Sequence, residues 1–190
     1  MRLWLEREQA LCKTFNTNFS KNHKTLSSPQ NIIEPFNSLE ISRSYTIMLG
    51  RFFFTFSAIG QIVGPFIADF NHTHVLNPNW PPHAKFHNGQ TMSMGVCIGL
   101  ASLYYTFRSR PDSAAAADSL FTAAIFGSLY WVTGISVILY PGSLAIDPEF
   151  GEGFPQFPLF AGLLLSSWFG WWLETKALAG RHRNKIRGLM

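Results

Sequence analysis

Four stretches of the chain, 47–68, 86–107, 119–140 and about 154–173, run for twenty residues or more with Arg51 as their one Asp, Glu, Lys or Arg. A helix rises about 1.5 Å per residue, so the 22 residues of the first stretch reach about 33 Å, enough for a hydrocarbon core of about 30 Å. Arg51 lies near the end of its stretch, where a long apolar stem can carry the guanidinium to the headgroups. A core helix of a water-soluble domain would show a polar face at 3.6-residue spacing. The third stretch, SLFTAAIFGSLYWVTGISVILY, has only Ser, Thr and Gly between its apolar residues. These lengths predict an all-α fold, an integral membrane four-helix bundle with each stretch one span.

Composition narrows the alternatives. Charged residues make up 14% of the chain and hydrophobic ones 47%, which excludes a disordered protein beyond residue 45. Cys12 and Cys97 are the only cysteines, too few for a disulfide scaffold. The net charge of +4 could suggest nucleic acid, but the basic residues flank apolar stretches instead of forming one stripe, so no nucleic-acid partner is expected. Residues 1–44 are polar and carry no apolar segment of signal-peptide length. They read as a disordered cytosolic leader with a short interfacial helix at its start, followed by the bundle, 45–175, and a basic cytosolic tail, 176–190.

Orientation follows from Lys and Arg. Fourteen of the fifteen fall in the leader, at Arg51, in the loop holding Arg108 and Arg110, or in the tail, and only Lys85 falls on the other side. The positive-inside rule then makes both termini cytosolic in a multi-pass protein, with the endoplasmic reticulum the expected membrane. Loops 69–90 and 141–157 share the opposite face. Small residues recur at four-residue spacing, as Gly60 with Gly64, Gly95 with Gly99, Ala123 with Gly127, and Gly162 with Ser166 and Gly170, which suits close helix crossings.

The segment from Asp69 to Gly95, DFNHTHVLNPNWPPHAKFHNGQTMSMG, concentrates the groups that can do chemistry. It holds four of the six histidines. Pro78, Pro81 and Pro82 preclude a helix through its middle, so it forms a turn across the bundle mouth. Past Pro82, His83 and His87 stand at i and i+4 with Gln90, Thr91 and Met94 on the same helical face. Free imidazole titrates at about pH 6.5 and both accepts and donates protons, so one reading is an acid–base site. The other is a polar cap whose His and Asn side chains satisfy loop backbone. A metal variant would use the H-x-H pair His72 and His74 with the H-x-x-x-H pair His83 and His87, but the segment lacks the glutamate of an H-E-x-x-H site, and no metal or other cofactor is expected. Asp69 is either a solvated interfacial carboxylate or a general acid held under the loop, open to a hydrogen bond from His72. Asp147, Glu149 and Glu152 are an acidic loop from which one group could face the histidines. Asn71-His72-Thr73 matches a glycosylation sequon pressed against the membrane.

Through Asp69-Phe-Asn-His-Thr-His and Asn77-Pro-Asn-Trp-Pro-Pro-His-Ala-Lys-Phe-His87-Asn-Gly-Gln90, the chain resembles a largely uncharacterised family of small four-span membrane proteins of fungi and bacteria. The resemblance covers about residues 45–175. Some fungal relatives accompany polyketide pathways, and the resemblance implies an epoxide-opening hydrolase role there. Together these readings give a membrane enzyme of specialised metabolism that acts on a lipophilic small molecule by acid–base catalysis, as in epoxide hydrolysis with ring closure or isomerisation. His74, His83, His87 and Asp69 are the expected catalytic groups, and Asn77, Trp80 and Gln90 shape the pocket. Membrane lipid is an expected partner, with pathway enzymes or a second copy as further ones. The alternative is a non-catalytic accessory or small-molecule-binding protein, and a transporter comes third.

Overall fold

Each apolar stretch forms the body of one helix in the computed structural model, which describes residues 38–149 and 151–187. The helices are α1 Ser38–Asp69, α2 Pro82–Phe107, α3 Ser113–Ser136 and α4 Phe157–Arg187, and there is no strand among the described residues. Pro82 sits in the first turn of α2, where its missing N–H costs nothing. Asp112 caps α3 by accepting a 2.8 Å bond from the Ala115 backbone N–H. A 3-10 turn, Val137–Leu139, closes α3.

Helix ends depart from the apolar boundaries in three places. α1 starts at Ser38, so the last residues of the expected 1–44 leader are helical, while residues 1–37 and the interfacial helix expected there lie outside the described residues. α3 starts at Ser113 and not at 119, because the Asp112 cap and the alanines 114–117 extend it through residues that an apolar-length criterion ignores. α4 runs unbroken to Arg187, through most of the expected tail. That tail is rich in Lys, Arg, Ala and Leu and has no proline, so polarity ends the apolar run without ending the helix.

α1 packs between α2 and α4, α3 closes the far corner against both, and α2 and α4 do not touch. Arg51 and Glu174 meet at one end of the bundle, and Asp69 lies beside Tyr130 and Gln156 at the other. Consecutive helices are therefore antiparallel.

The interior combines an apolar cluster of Phe54, Leu120, Ala123 and Ala124 with buried hydroxyl and amide side chains, and much of the exterior is large and apolar. Ser57, Gln61, Ser102, Ser119 and Ser167 are fully buried. The buried Trp131 Nε1–H donates to Ser57 Oγ at 2.8 Å, Ser57 donates to the Gly127 carbonyl at 3.1 Å, and Gln61 Nε2 donates to that same carbonyl at 2.7 Å. Ser102 Oγ donates to the Ala123 carbonyl and Ser166 Oγ to the Phe53 carbonyl, tying α2 to α3 and α4 to α1. Outside, Phe52, Phe56 and Ile67 of α1, Phe86 and Leu100 of α2, Val132 of α3, and Leu159 and Leu165 of α4 are exposed. Large apolar side chains exposed on every helix are more than a water-soluble monomer usually shows. Among the described residues, two segments, Tyr45–Asp69 and Ser113–Leu139, are long and apolar enough to cross a membrane.

Backbones approach closely at part of the expected small-residue pattern. A Cβ on Gly95 would lie 2.5 Å from the Gln61 carbonyl oxygen, and one on Gly170 would lie 2.8 Å from that of Gly50. Gly64 and Gly162 instead face open space. Their place in the pattern reflects a groove and not a crossing.

Candidate functional site

The turn from Phe70 to Pro81 is held by its own short side chains. Asn71 Nδ2 donates to the Ala68 carbonyl at 2.6 Å, while Asn71 Oδ1 accepts from the Thr73 backbone N–H at 2.8 Å and from Thr73 Oγ1 at 2.6 Å. Asn77 Oδ1 accepts from the Asn79 N–H at 2.9 Å. These Asx-type bonds hold the chain where the prolines forbid a helix. They also place His74, whose Nδ1 is 2.7 Å from Thr73 Oγ1, whose ring meets Trp80 edge-on at 5.0 Å, and whose Nε2 is 4.0 Å from Asp69 Oδ1.

The hydrogen-bond pattern of the turn bears on the His74 tautomer. Thr73 has one hydroxyl proton and gives it to Asn71, so His74 Nδ1 must be a donor to Thr73. Nε2 then faces the carboxylate either with a lone pair or, in the imidazolium, with a second N–H. A lone pair opposite a carboxylate is unfavourable. Asp69 Oδ1 and His74 Nε2 stand 4.0 Å apart, close enough for a proton to pass between them once the two groups close to hydrogen-bond distance. The Asn88 side chain lies near the same carboxylate.

Asp69 also lines a cavity. A volume of about 580 Å³, within the range of small-molecule sites, opens between α1 and α4 and is floored by α3. Its wall is apolar, with Phe56, Ile59 and Val63 from α1, Leu159, Phe160 and Leu163 from α4, and Trp131 from α3. Its polar groups are Asp69, Tyr130 and Gln156. Gln156 Nε2 donates to the Ala145 carbonyl at 2.8 Å, which leaves its buried Oε1 without a partner. Phe56, Ile59, Val63 and Leu159 are also exposed on the flank, so the cavity opens sideways through the apolar surface.

The expected site residues divide. Asp69, His74 and Trp80 come together. His83 and His87 form a separate exposed pair with Nε2 atoms 3.0 Å apart, and His83 stacks on Phe86; neither lines the cavity. Gln90 is exposed, and Asn77 serves the turn. The expected bond from His72 to Asp69 is replaced by the His74 contact, since His72 is exposed. Asp147, Glu149 and Glu152 are exposed, and Gln156 supplies that loop's side of the cavity. No group of three or more His, Cys, Asp or Glu among the described residues is placed to hold a metal ion, so the four imidazoles do not converge. Tyr130 and Gln156 are the groups that sequence reasoning missed. The available signals are that Tyr130 is a polar aromatic in the middle of the third apolar stretch and that Gln156 is the only polar side chain in FPQFPLF.

A family model matches residues 53–185, the bulk of the described bundle. The chain belongs to DUF6640, a family of unknown function. Membership agrees with the expected uncharacterised family and brings no activity with it. No curated protein and no solved structure matches the chain.

Proposed function

We propose that this protein is a four-span integral membrane enzyme whose Asp69–His74 pair performs acid–base chemistry on a lipophilic molecule that enters from the bilayer. The observation that carries the reading is a carboxylate with a histidine ring nitrogen 4.0 Å away at the polar end of an otherwise apolar, laterally open cavity. The exposed apolar flanks of α2 and α4 support four spans, and the arginine-rich end supports cytosolic termini, in the endoplasmic reticulum by expectation. The tie to fungal polyketide metabolism rests on the resemblance of residues 69–90.

A substrate with one oxygen function would lie along Phe56, Leu159 and Phe160 with that oxygen at Asp69, Tyr130 and Gln156. For an epoxide, Asp69 takes a proton from water or an internal hydroxyl as the new C–O bond forms and the ring C–O bond breaks. The Tyr130 hydroxyl protonates the departing oxygen and recovers its proton from the Asp69–His74 pair. Isomerisation uses the same pair to remove a proton at one carbon and return one at another. The 4.0 Å separation exceeds a hydrogen bond, and such pairs commonly tighten when substrate engages.

Comparative metabolite profiling tests this. A deletion strain should accumulate an epoxide or uncyclised precursor, and Asp69→Asn, present in membranes at the wild-type level, should accumulate the same compound. Normal product with Asp69→Asn would refute catalysis at this site and favour the accessory, small-molecule-binding reading.

A further inference from the structure

The end of the bundle opposite Asp69 holds a second cavity, of about 400 Å³, with a different chemistry. Arg51 from α1, Arg108 and Arg110 from the loop after α2, and Arg181 from α4 all line it. The acids in its wall are Glu174 and Asp112, so four guanidinium groups against two carboxylates leave a formal excess of two positive charges. Asp112 is committed as the α3 cap. Glu174 is 4% exposed and its Oε1 lies 3.7 Å from Arg51 Nε, beyond hydrogen-bond distance. Both of these atoms, and Arg110 Nε, are buried without a hydrogen-bond partner.

Three of the four arginines are nonetheless held in place. Arg110 Nη2 donates to the carbonyls of Tyr105 and Thr106 at the end of α2, Arg108 Nε donates to Ser119 Oγ at 2.8 Å while lying over the Tyr105 ring, and Arg51 lies over Phe107. Each guanidinium has five N–H donors, so most remain unspent. Burial, then repulsion by Arg51 and Arg108, depresses the Arg110 pKa, with Glu174 the one group acting the other way. Like charges fixed around a cavity, with orphaned donors and too little countercharge, mark a site completed by an anion.

We propose that this cavity binds a phosphate group, carried either by an anionic lipid headgroup or by a soluble phosphorylated small molecule. A phosphomonoester carries about −1.5 to −2 charge, which matches the excess, and its oxygens suit several guanidinium forks. The volume has room for a glycerol-sized substituent beyond the phosphate. The proposal does not rest on the acid–base reading.

The test uses the full chain in nanodiscs. Native mass spectrometry counts the phosphatidic acid retained relative to phosphatidylcholine, and calorimetry in phosphatidylcholine nanodiscs follows glycerol 3-phosphate. Arg181→Gln and Arg108→Gln should each weaken binding about tenfold, the loss expected of one charge-assisted hydrogen bond. Lys176→Gln, which removes a cation on α4 that lies over Trp172 outside the cavity, should leave binding unchanged. Displacement of retained lipid by glycerol 3-phosphate assigns a soluble ligand, and retention indifferent to it assigns a headgroup. Binding of neither probe, or equal weakening by Lys176→Gln and Arg181→Gln, would overturn the proposal.

Discussion

The two ends of the bundle use buried charge in opposite ways. At the Asp69 end, one carboxylate faces one imidazole, an acid matched by a base, and the adjoining cavity is walled by Phe, Leu and Ile. At the Arg51 end, four guanidinium groups crowd one buried carboxylate. A balanced pair beside an apolar wall can move a proton without attracting ions. An unbalanced cluster moves no proton but holds an anion. The difference shows that counting ionisable groups says less about function than asking whether their charges are matched within the fold.

The sharpest way to break the comparison is at the histidines. His74→Gln keeps a donor for Thr73 but cannot share a proton with Asp69, so product formed by the complemented strain should fall about a hundredfold at unchanged protein level, the scale of a lost acid–base partner. His83→Ala and His87→Ala, in the exposed pair, should each lower it less than about threefold. Equal losses at all three positions would mean that the pair belongs to the site after all.

A smaller effect separates the ends by stability. Glu174→Ala should cost about 2 kcal/mol in a thermal or denaturant melt, less than the roughly 3–5 kcal/mol of a fully enclosed pair because the Arg51 side chain is 41% exposed. Burial raises the Glu174 pKa, against the pull of Arg51, Arg110 and Arg181. The native state then holds this proton more tightly than the unfolded chain does. Stability from this group is greatest in acid and is lost as pH climbs past the ordinary 4.5 toward the raised native value. Glu174→Gln should remove that part of the pH slope, and an unchanged slope would show that the carboxylate is fully compensated.

Much of the fold was legible because charge-free length is a one-dimensional property. The extension of α3 to Ser113 and of α4 to Arg187 was not, since both add polar or alanine-rich turns that an apolar-length criterion treats as loop. Within the site, Asp69 and His74 were legible as a local concentration of titratable groups. Tyr130 and Gln156 come from α3 and the loop before α4, and only packing brings them to Asp69. The arginines were visible but read as markers of orientation, because residues 51, 108, 110 and 181 converge only once the helix ends are assembled. For His83 and His87 the spacing correctly implied a shared face, but spacing does not say whether that face turns inward.

The serine, glycine and glutamine contacts at the centre of the bundle have a thermodynamic consequence. If all four helices span a bilayer as proposed, separating them there exchanges hydroxyl-to-carbonyl bonds for lipid contact and exposes little apolar surface to water. The heat-capacity increment that bends the stability curve of a water-soluble domain comes from that exposure. Calorimetry in nanodiscs should therefore find stability falling almost linearly with temperature, with no return toward unfolding in the cold.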